Sequence, residues 1–327
     1  MYNTSMKVFI TDYQQENTAL EEALFRTAGL DLIVGQCENA DDVIEALDRA
    51  GARDIQAMIA SYAPVTEQVL GALPQLKMIS AAGVGTDHID VAAARARGLW
   101  VANVPDANAE EVAVHALAMA LSLLRGLGTF DRMVRDGHWD FHAAGPLRRP
   151  SGLTLGIVGL GQIGRLLGER ATASFGGLLA FDPFLTAQEW PGSISQCALE
   201  DLFRRSDVIS LHLPLTPKTH GLVNQGLLEK MKPGSYLVNV ARGGLVDLDA
   251  LLWALDQGIL AGAGLDVLPT EPPPADHPIL NRPDVLLSPH AAFYSEQSEE
   301  EGRRKAVDNI IQWARQGRPP YVVLEGR

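Results

Sequence analysis

The sequence predicts an α/β protein built on two parallel sheets. Three observations carry that expectation. Short apolar runs alternate with helical patterns at βαβ spacing almost throughout. The alternation starts afresh at Thr154, just ahead of a glycine-rich turn. The length of 327 residues fits two domains of about 150 residues each.

In the first series, residues 7–11, 30–34, 57–60, 78–81 and 100–102 read as strands, and 17–28 and 41–50 as helices. A long helix follows over 107–125, rich in Ala, Leu and Met and therefore expected to be buried. Pro105 precedes it, and Gly126 and Gly128 serve as stop signals. Residues 140–152 mix Gly, Pro and Arg and read as a loop. The second series has strands at 154–158, 178–181, 207–211, 236–240, 261–265 and 285–287. Helices fit between most of them, including 162–173 and 247–257, the latter capped by Asp247. Six strands with crossover helices match a complete dinucleotide-binding domain. A last amphipathic helix, 295–316, stops at Gly317 ahead of Pro319 and Pro320.

The totals exclude several classes. A formal charge of −13 repels phosphate backbones, so no nucleic-acid partner is expected. Cys37 and Cys197 lack C-x-x-C spacing and read as two thiols in a reducing compartment. The N-terminal stretch has no signal-peptide pattern. The most apolar helical stretch, 112–124, contains His115 and is too short to span a bilayer. The expectation is a cytoplasmic protein with no membrane partner. No H-E-x-x-H, G-x-S-x-G or P-loop pattern occurs, and no metal is implied.

The turn after strand 154–158 reads Gly159-Leu-Gly161-Gln162-Ile163-Gly164. A lone G-x-G-x-x-G is a weak signal, but here it follows a strand and opens a helix. Gly159 permits the tight turn, Gly161 lets backbone approach a pyrophosphate, and Gly164 lets helix and strand pack closely. The helix opening at Gln162 and Ile163 offers N–H groups and a positive dipole end to the phosphates. The next strand ends at Asp182, a carboxylate suited to ribose hydroxyls and hostile to a 2′-phosphate. No Arg or Lys lies between Asp182 and Gln188, so the expected cofactor is NAD rather than NADP.

Further residues fall where strands of the second sheet should end: Arg242, Asp266, Glu271 in a Pro-rich loop, and His290. The carboxyl ends of such strands form the ligand crevice. A His poised near neutral pH suits proton transfer to or from a hydroxyl. A nearby carboxylate favours its protonated form. An Arg fork suits a substrate carboxylate. The chemistry these groups fit is hydride transfer at a carbon bearing a hydroxyl or keto group.

Taken together, GLGQIG, VNVARGGLVD, LDV followed by TEP, and SPHAA resemble the D-isomer-specific 2-hydroxyacid dehydrogenases over nearly the whole chain. The resemblance implies a flavodoxin-like substrate domain, 1–102 plus 291–327, into which a Rossmann NAD-binding domain, 103–290, is inserted. It implies that Arg242 orients a small 2-keto or 2-hydroxy acid, that His290 gives the proton in reduction, and that Glu271 pairs with His290. It assigns Val84 and Gly85 to the substrate carboxylate, Asp266 to the nicotinamide carboxamide, and Leu213, Val240 and Ala241 to the cofactor lining. His88 departs from the family's usual Asn. The run from His290 to Gln297 is similar to the carboxyl-terminal-binding protein branch of NAD-sensing corepressors, with Phe293 in place of that branch's Trp. Phe293 is open to a substrate-pocket or a core role. An NAD(H)-sensing binding protein with little turnover is therefore the alternative to an enzyme. Glu271 argues against formate dehydrogenase activity, where Gln is usual. The resemblance also implies a homodimer, with helix 107–125 as an interface or a core element.

Overall fold

The computed structural model describes residues 6–327; residues 1–5, part of the stretch read as lacking a signal peptide, lie outside it. The chain forms two compact units, one of 1–108 and 295–327, the other of 109–294.

The first unit begins β1 (Lys7–Ile10), α1 (Ala19–Ala28), β2 (Asp31–Val34), α2 (Ala40–Arg49), β3 (Ala57–Ala60), α3 (Glu67–Gly71), β4 (Met78–Ala81), α4 (Val91–Ala96) and β5 (Trp100–Ala102). The second unit holds α5 (Ala109–Leu124), α6 (Leu127–Arg135), β6 (Thr154–Val158), α7 (Gln162–Ala171), β7 (Gly177–Phe181), β8 (Ser195–Gln196), α8 (Leu199–Arg205), β9 (Val208–Leu211), α9 (Gln225–Leu228), β10 (Ser235–Asn239), α10 (Leu248–Asp256), β11 (Leu260–Leu265) and β12 (Val285–Leu287). The chain then returns to the first unit with α11 (Glu296–Gln316) and β13 (Val322–Leu324).

The first sheet runs β13-β5-β4-β3-β1-β2, parallel except for β13, which lies antiparallel to β5. Both faces are covered. Alternate residues of β1 diverge, Phe9 into a cluster with Leu47 and Leu70, Val8 and Ile10 into one with Phe25 and Ile310. The second sheet runs β12-β11-β10-β9-β6-β7-β8, all parallel. Leu155 and Ile157 face α5 and α7, while Ile209, Leu211 and Leu237 pack toward α8 to α10. Burial on both faces explains why the strands read as unbroken apolar runs. Strand order reverses between β9 and β6, and the crevice beyond their carboxyl ends is where such sheets take ligands.

The breaks between units fall at 108/109 and 294/295 instead of 102/103 and 290/291. Hydrogen bonds explain both shifts. Asn103 N–H donates to Tyr321 O and Val104 N–H to Gly83 O, so 103–108 stay with the first unit. Ala291 and Ala292 N–H groups donate to the Asp266 carboxylate, which keeps 291–294 with the second. Gly126 ends the long helix as expected, but the chain bends by 63° there and continues into a further helix, α6, that the stop signals do not announce. Among the described residues no single helix is long and apolar enough to cross a membrane, and no group of three His, Cys, Asp or Glu side chains is placed to hold a metal ion.

Candidate functional site

The predicted cofactor residues converge at the switch point of the second sheet. Gly159 adopts a left-handed φ of 92°, and a Cβ there would lie 2.4 Å from His212 O. At Gly164 a Cβ would lie 2.2 Å from Gly159 O, so only glycine lets α7 close onto the turn. At Gly161 a Cβ would meet nothing within 4 Å, leaving that stretch of backbone open to an approaching group. No side chain caps the helix that opens at Gln162 and Ile163. Asp182 follows β7, and its two carboxylate oxygens accept from Leu160 N–H and Phe184 N–H, both at 2.9 Å. The carboxylate is thereby fixed beside the glycine turn. Leu213 lies beyond β9, and Val240 and Ala241 beyond β10, at neighbouring strand ends. An open backbone cradle, an uncapped helix start and a carboxylate on the next strand fit a dinucleotide.

The second group forms at the ends of β10, β11 and β12. Arg242 leaves β10 through a turn tied by Asn239, which is 1% exposed. The Asn239 side chain donates to Arg242 O at 2.9 Å and accepts from Ala241 N–H at 3.1 Å. The next residue, Gly243, packs so tightly that a Cβ would lie 2.0 Å from the Leu268 carbonyl carbon. This contact brings the Arg242 turn against the loop that carries Glu271. Gly243→Ala is expected to lower unfolding free energy by about 1–3 kcal/mol, read as a lower denaturant midpoint at unchanged slope.

His290 Nδ1 lies 2.6 Å from Glu271 Oε2, and Glu271 Oε1 accepts from Leu268 N–H at 2.8 Å. An ionised carboxylate can only accept, so Nδ1 carries the hydrogen and Nε2 is left for chemistry. The side chains remain 31% and 37% exposed, so both stay reachable. They border a largely apolar cavity of about 390 Å³ lined also by Leu268, Leu280 and Leu287. His290 has a left-handed φ of 53°, unusual for a residue other than glycine. The turn is held by Asp266, only 2% exposed. Its backbone carbonyl accepts from His290 N–H at 2.7 Å. Its carboxylate accepts from Ala291 N–H at 2.8 Å, Ala292 N–H at 2.9 Å and the Ser288 hydroxyl. Phe293 is half-buried and meets the His290 ring edge-on, with centroids 6.3 Å apart.

Burial pushes the Glu271 carboxyl up, but hydrogen bonds from His290 and Leu268 N–H, with the charges of His290 and Arg242, outweigh it and hold it below the ordinary carboxylate range. A depressed carboxylate stabilises the fold fully above its unfolded value of about 4.3 and loses that contribution as pH falls through the depressed value. Acid unfolding of Glu271→Gln should lack this part of the pH dependence; a stability profile below pH 5 that coincides with the native protein would refute it.

Another histidine near the crevice, His212, is half-buried, and desolvation of its ring pushes it down to about 3. It stays neutral at physiological pH, with Nε2 2.8 Å from Ser210 Oγ. A ring held neutral in this way is poorly suited to donate a proton. Val84 and Gly85 lie in the first unit on the loop after β4, with Val84 36% exposed and its carbonyl accepting from Asn103 Nδ2 at 2.7 Å. Asn239 and Ser288 are site residues that the motif reading quoted without assigning work to them.

A parallel sheet with a glycine cradle at its switch point and a His–Glu pair at adjoining strand ends has the form of a dinucleotide-binding domain. Residues 117–292 match the model described as "D-isomer specific 2-hydroxyacid dehydrogenase, NAD binding domain". The chain belongs to this family. The D-3-phosphoglycerate dehydrogenase of Mycobacterium tuberculosis is 37% identical over 83% of this chain and 50% of its own length. The glyoxylate reductase of Thermofilum pendens is 35% identical over 79% of this chain and 78% of its own. The structure of D-lactate dehydrogenase from Aquifex aeolicus, complexed with NAD and lactic acid, superposes with a TM-score of 0.87 at 28% identity, covering 98% of this chain and 100% of that one. The chain thus spans about half the length of the phosphoglycerate dehydrogenases it matches.

Proposed function

We propose that this protein reduces small 2-keto acids to D-2-hydroxy acids with NADH, and catalyses the reverse oxidation. The observation that carries the reading is the Glu271–His290 pair at 2.6 Å, set at the carboxyl end of the NAD-binding sheet. When bound, NADH supplies the hydride. His290, held through Nδ1, presents Nε2 to the C2 oxygen and gives it a proton in reduction. Glu271 stays ionised and accepts the Nδ1 hydrogen, which orients the ring toward the substrate. Arg242 binds the substrate carboxylate, a task its planar fork suits better than a Lys ammonium. Val84 and Gly85 are assigned to the same carboxylate on the resemblance alone, and Asp266 to the nicotinamide carboxamide on one remaining acceptor site. Asp182 favours NADH over NADPH.

The test is NADH consumption with glyoxylate, hydroxypyruvate, pyruvate, phenylpyruvate and 3-phosphohydroxypyruvate, repeated with NADPH. Turnover of at least one keto acid, faster with NADH, is expected. Tight NADH binding without consumption would favour the second reading, an NAD(H)-responsive binding protein, which rests on the run from His290 to Gln297.

The assembly we propose is a homodimer. Helix α5 turns Val112, Ala116, Met119 and Ala120 into its own unit's core, so it acts first as a core helix. An exposed apolar surface lies next to it: Leu127 and Val134 on α6, and Trp139 and Phe141 beyond, 89% and 77% exposed. Large exposed apolar groups in one segment mark an interaction surface. The Trp139→Asp, Phe141→Asp double variant should sediment as a monomer where the native protein sediments as a dimer; a monomeric native protein would exclude the assembly.

A further inference from the structure

His115 is the one titratable side chain within the apolar run of α5. Its Nε2 lies 2.9 Å from Ser288 Oγ and 3.7 Å from Asp266 Oδ1. The hydrogen-bond inventory fixes the direction of every link. The Asp266 carboxylate can only accept, and Ser288 has one hydroxyl proton, so Ser288 donates to Asp266. The Ser288 oxygen must then accept, and His115 Nε2 carries the hydrogen. A chain of donors results, from His115 through Ser288 to a buried carboxylate that also gathers the N–H groups of Ala291 and Ala292. His290 sits in the middle of this turn, in a left-handed conformation that persists only where its surroundings enforce it.

We propose that His115 is a positioning residue, whose Nε2–H, relayed by Ser288 to Asp266, fixes the turn that presents His290. Its effect on catalysis rests on the reading of His290 as the proton donor; its effect on the turn does not. With the donor gone, the Ser288 hydroxyl is free to rotate and Asp266 loses its anchor to α5. Small displacements of an acid are costly in rate, up to about a hundredfold for 1 Å.

The test compares His115→Phe, which keeps a ring without a donor, with His115→Gln, which can place an N–H close to the same point. Ser288→Ala and the His115→Phe, Ser288→Ala double variant complete the set. Amide hydrogen exchange at Ala291 and Ala292 is followed in the protein without substrate, alongside kcat, KM and NADH affinity. His115→Phe should raise exchange at both amides by roughly tenfold. It should lower kcat by roughly tenfold with KM and NADH affinity changed by less than about twofold. His115→Gln should recover most of both. The double variant should be no worse than His115→Phe, because two links of one chain are not additive. Unchanged exchange in His115→Phe, a Gln variant as impaired as Phe, or additive losses would each overturn the proposal. If the native protein turns over no keto acid, the functional reading falls while the exchange data still decide the role of His115. If His115→Phe does not fold, Ser288→Ala carries the same prediction.

Discussion

Replacing His290 with alanine is expected to lower keto-acid reduction by about 10²–10⁴-fold while leaving NADH affinity within about twofold. Nδ1 is committed to Glu271 at 2.6 Å, so only Nε2 can serve the substrate oxygen. His212 is a poor substitute, since burial pushes the pKa of its ring down. The cofactor cradle around Gly159 to Gly164 lies on other elements and does not depend on the imidazole. Alanine also tolerates the left-handed backbone poorly, which could mimic a chemical loss by deforming the turn. His290→Asn separates the two effects, because Asn accepts that backbone but cannot act as the acid. Both variants should be equally slow in single-turnover reduction, and a fast Asn variant would remove His290 from the proton step.

Arg242→Ala should cost nearly as much, through a different parameter. Two charge-assisted hydrogen bonds to a carboxylate, at about 1.5–3 kcal/mol each, correspond to a loss of about 10²–10⁴ in kcat/KM. Its charge also helps to hold Glu271 ionised, so part of the loss should appear in kcat. Arg242→Lys should restore only a minor share, since an ammonium cannot reproduce the two-pronged geometry. A lysine variant with native kcat/KM would show that Arg242 contributes charge alone. An alanine variant with native kcat/KM would remove it from substrate binding.

The strands were legible because both sheets are buried on both faces, which writes each one as a short apolar run between breakers. The glycine turn was legible because its spacing reflects close approaches that only glycine permits, as at Gly164. The Glu271–His290 pairing came from the family resemblance, not from spacing. What escaped the reading depends on contacts made far along the chain. His115 and Ser288 are 173 positions apart, and no local pattern links them. Asn239 looks like an ordinary polar end to β10, yet its amide ties down the turn before Arg242. Helices α3, α4, α8 and α9 are too short to show a clear period. The unit boundaries were displaced because residues 103–108 and 291–294 are assigned by hydrogen bonds to opposite units.

Hydride transfer from NADH to C2 of a keto acid, with protonation by His290, is the step that defines the proposed activity. Its most direct test is reduction by NADH deuterated at C4 of the nicotinamide, followed by chiral analysis of the product. The expected product is a D-2-hydroxy acid carrying deuterium at C2, formed by the native protein and formed at least about a hundredfold more slowly by His290→Asn. A product without deuterium at C2, a product of L configuration, or no product from any keto acid in the panel would contradict it.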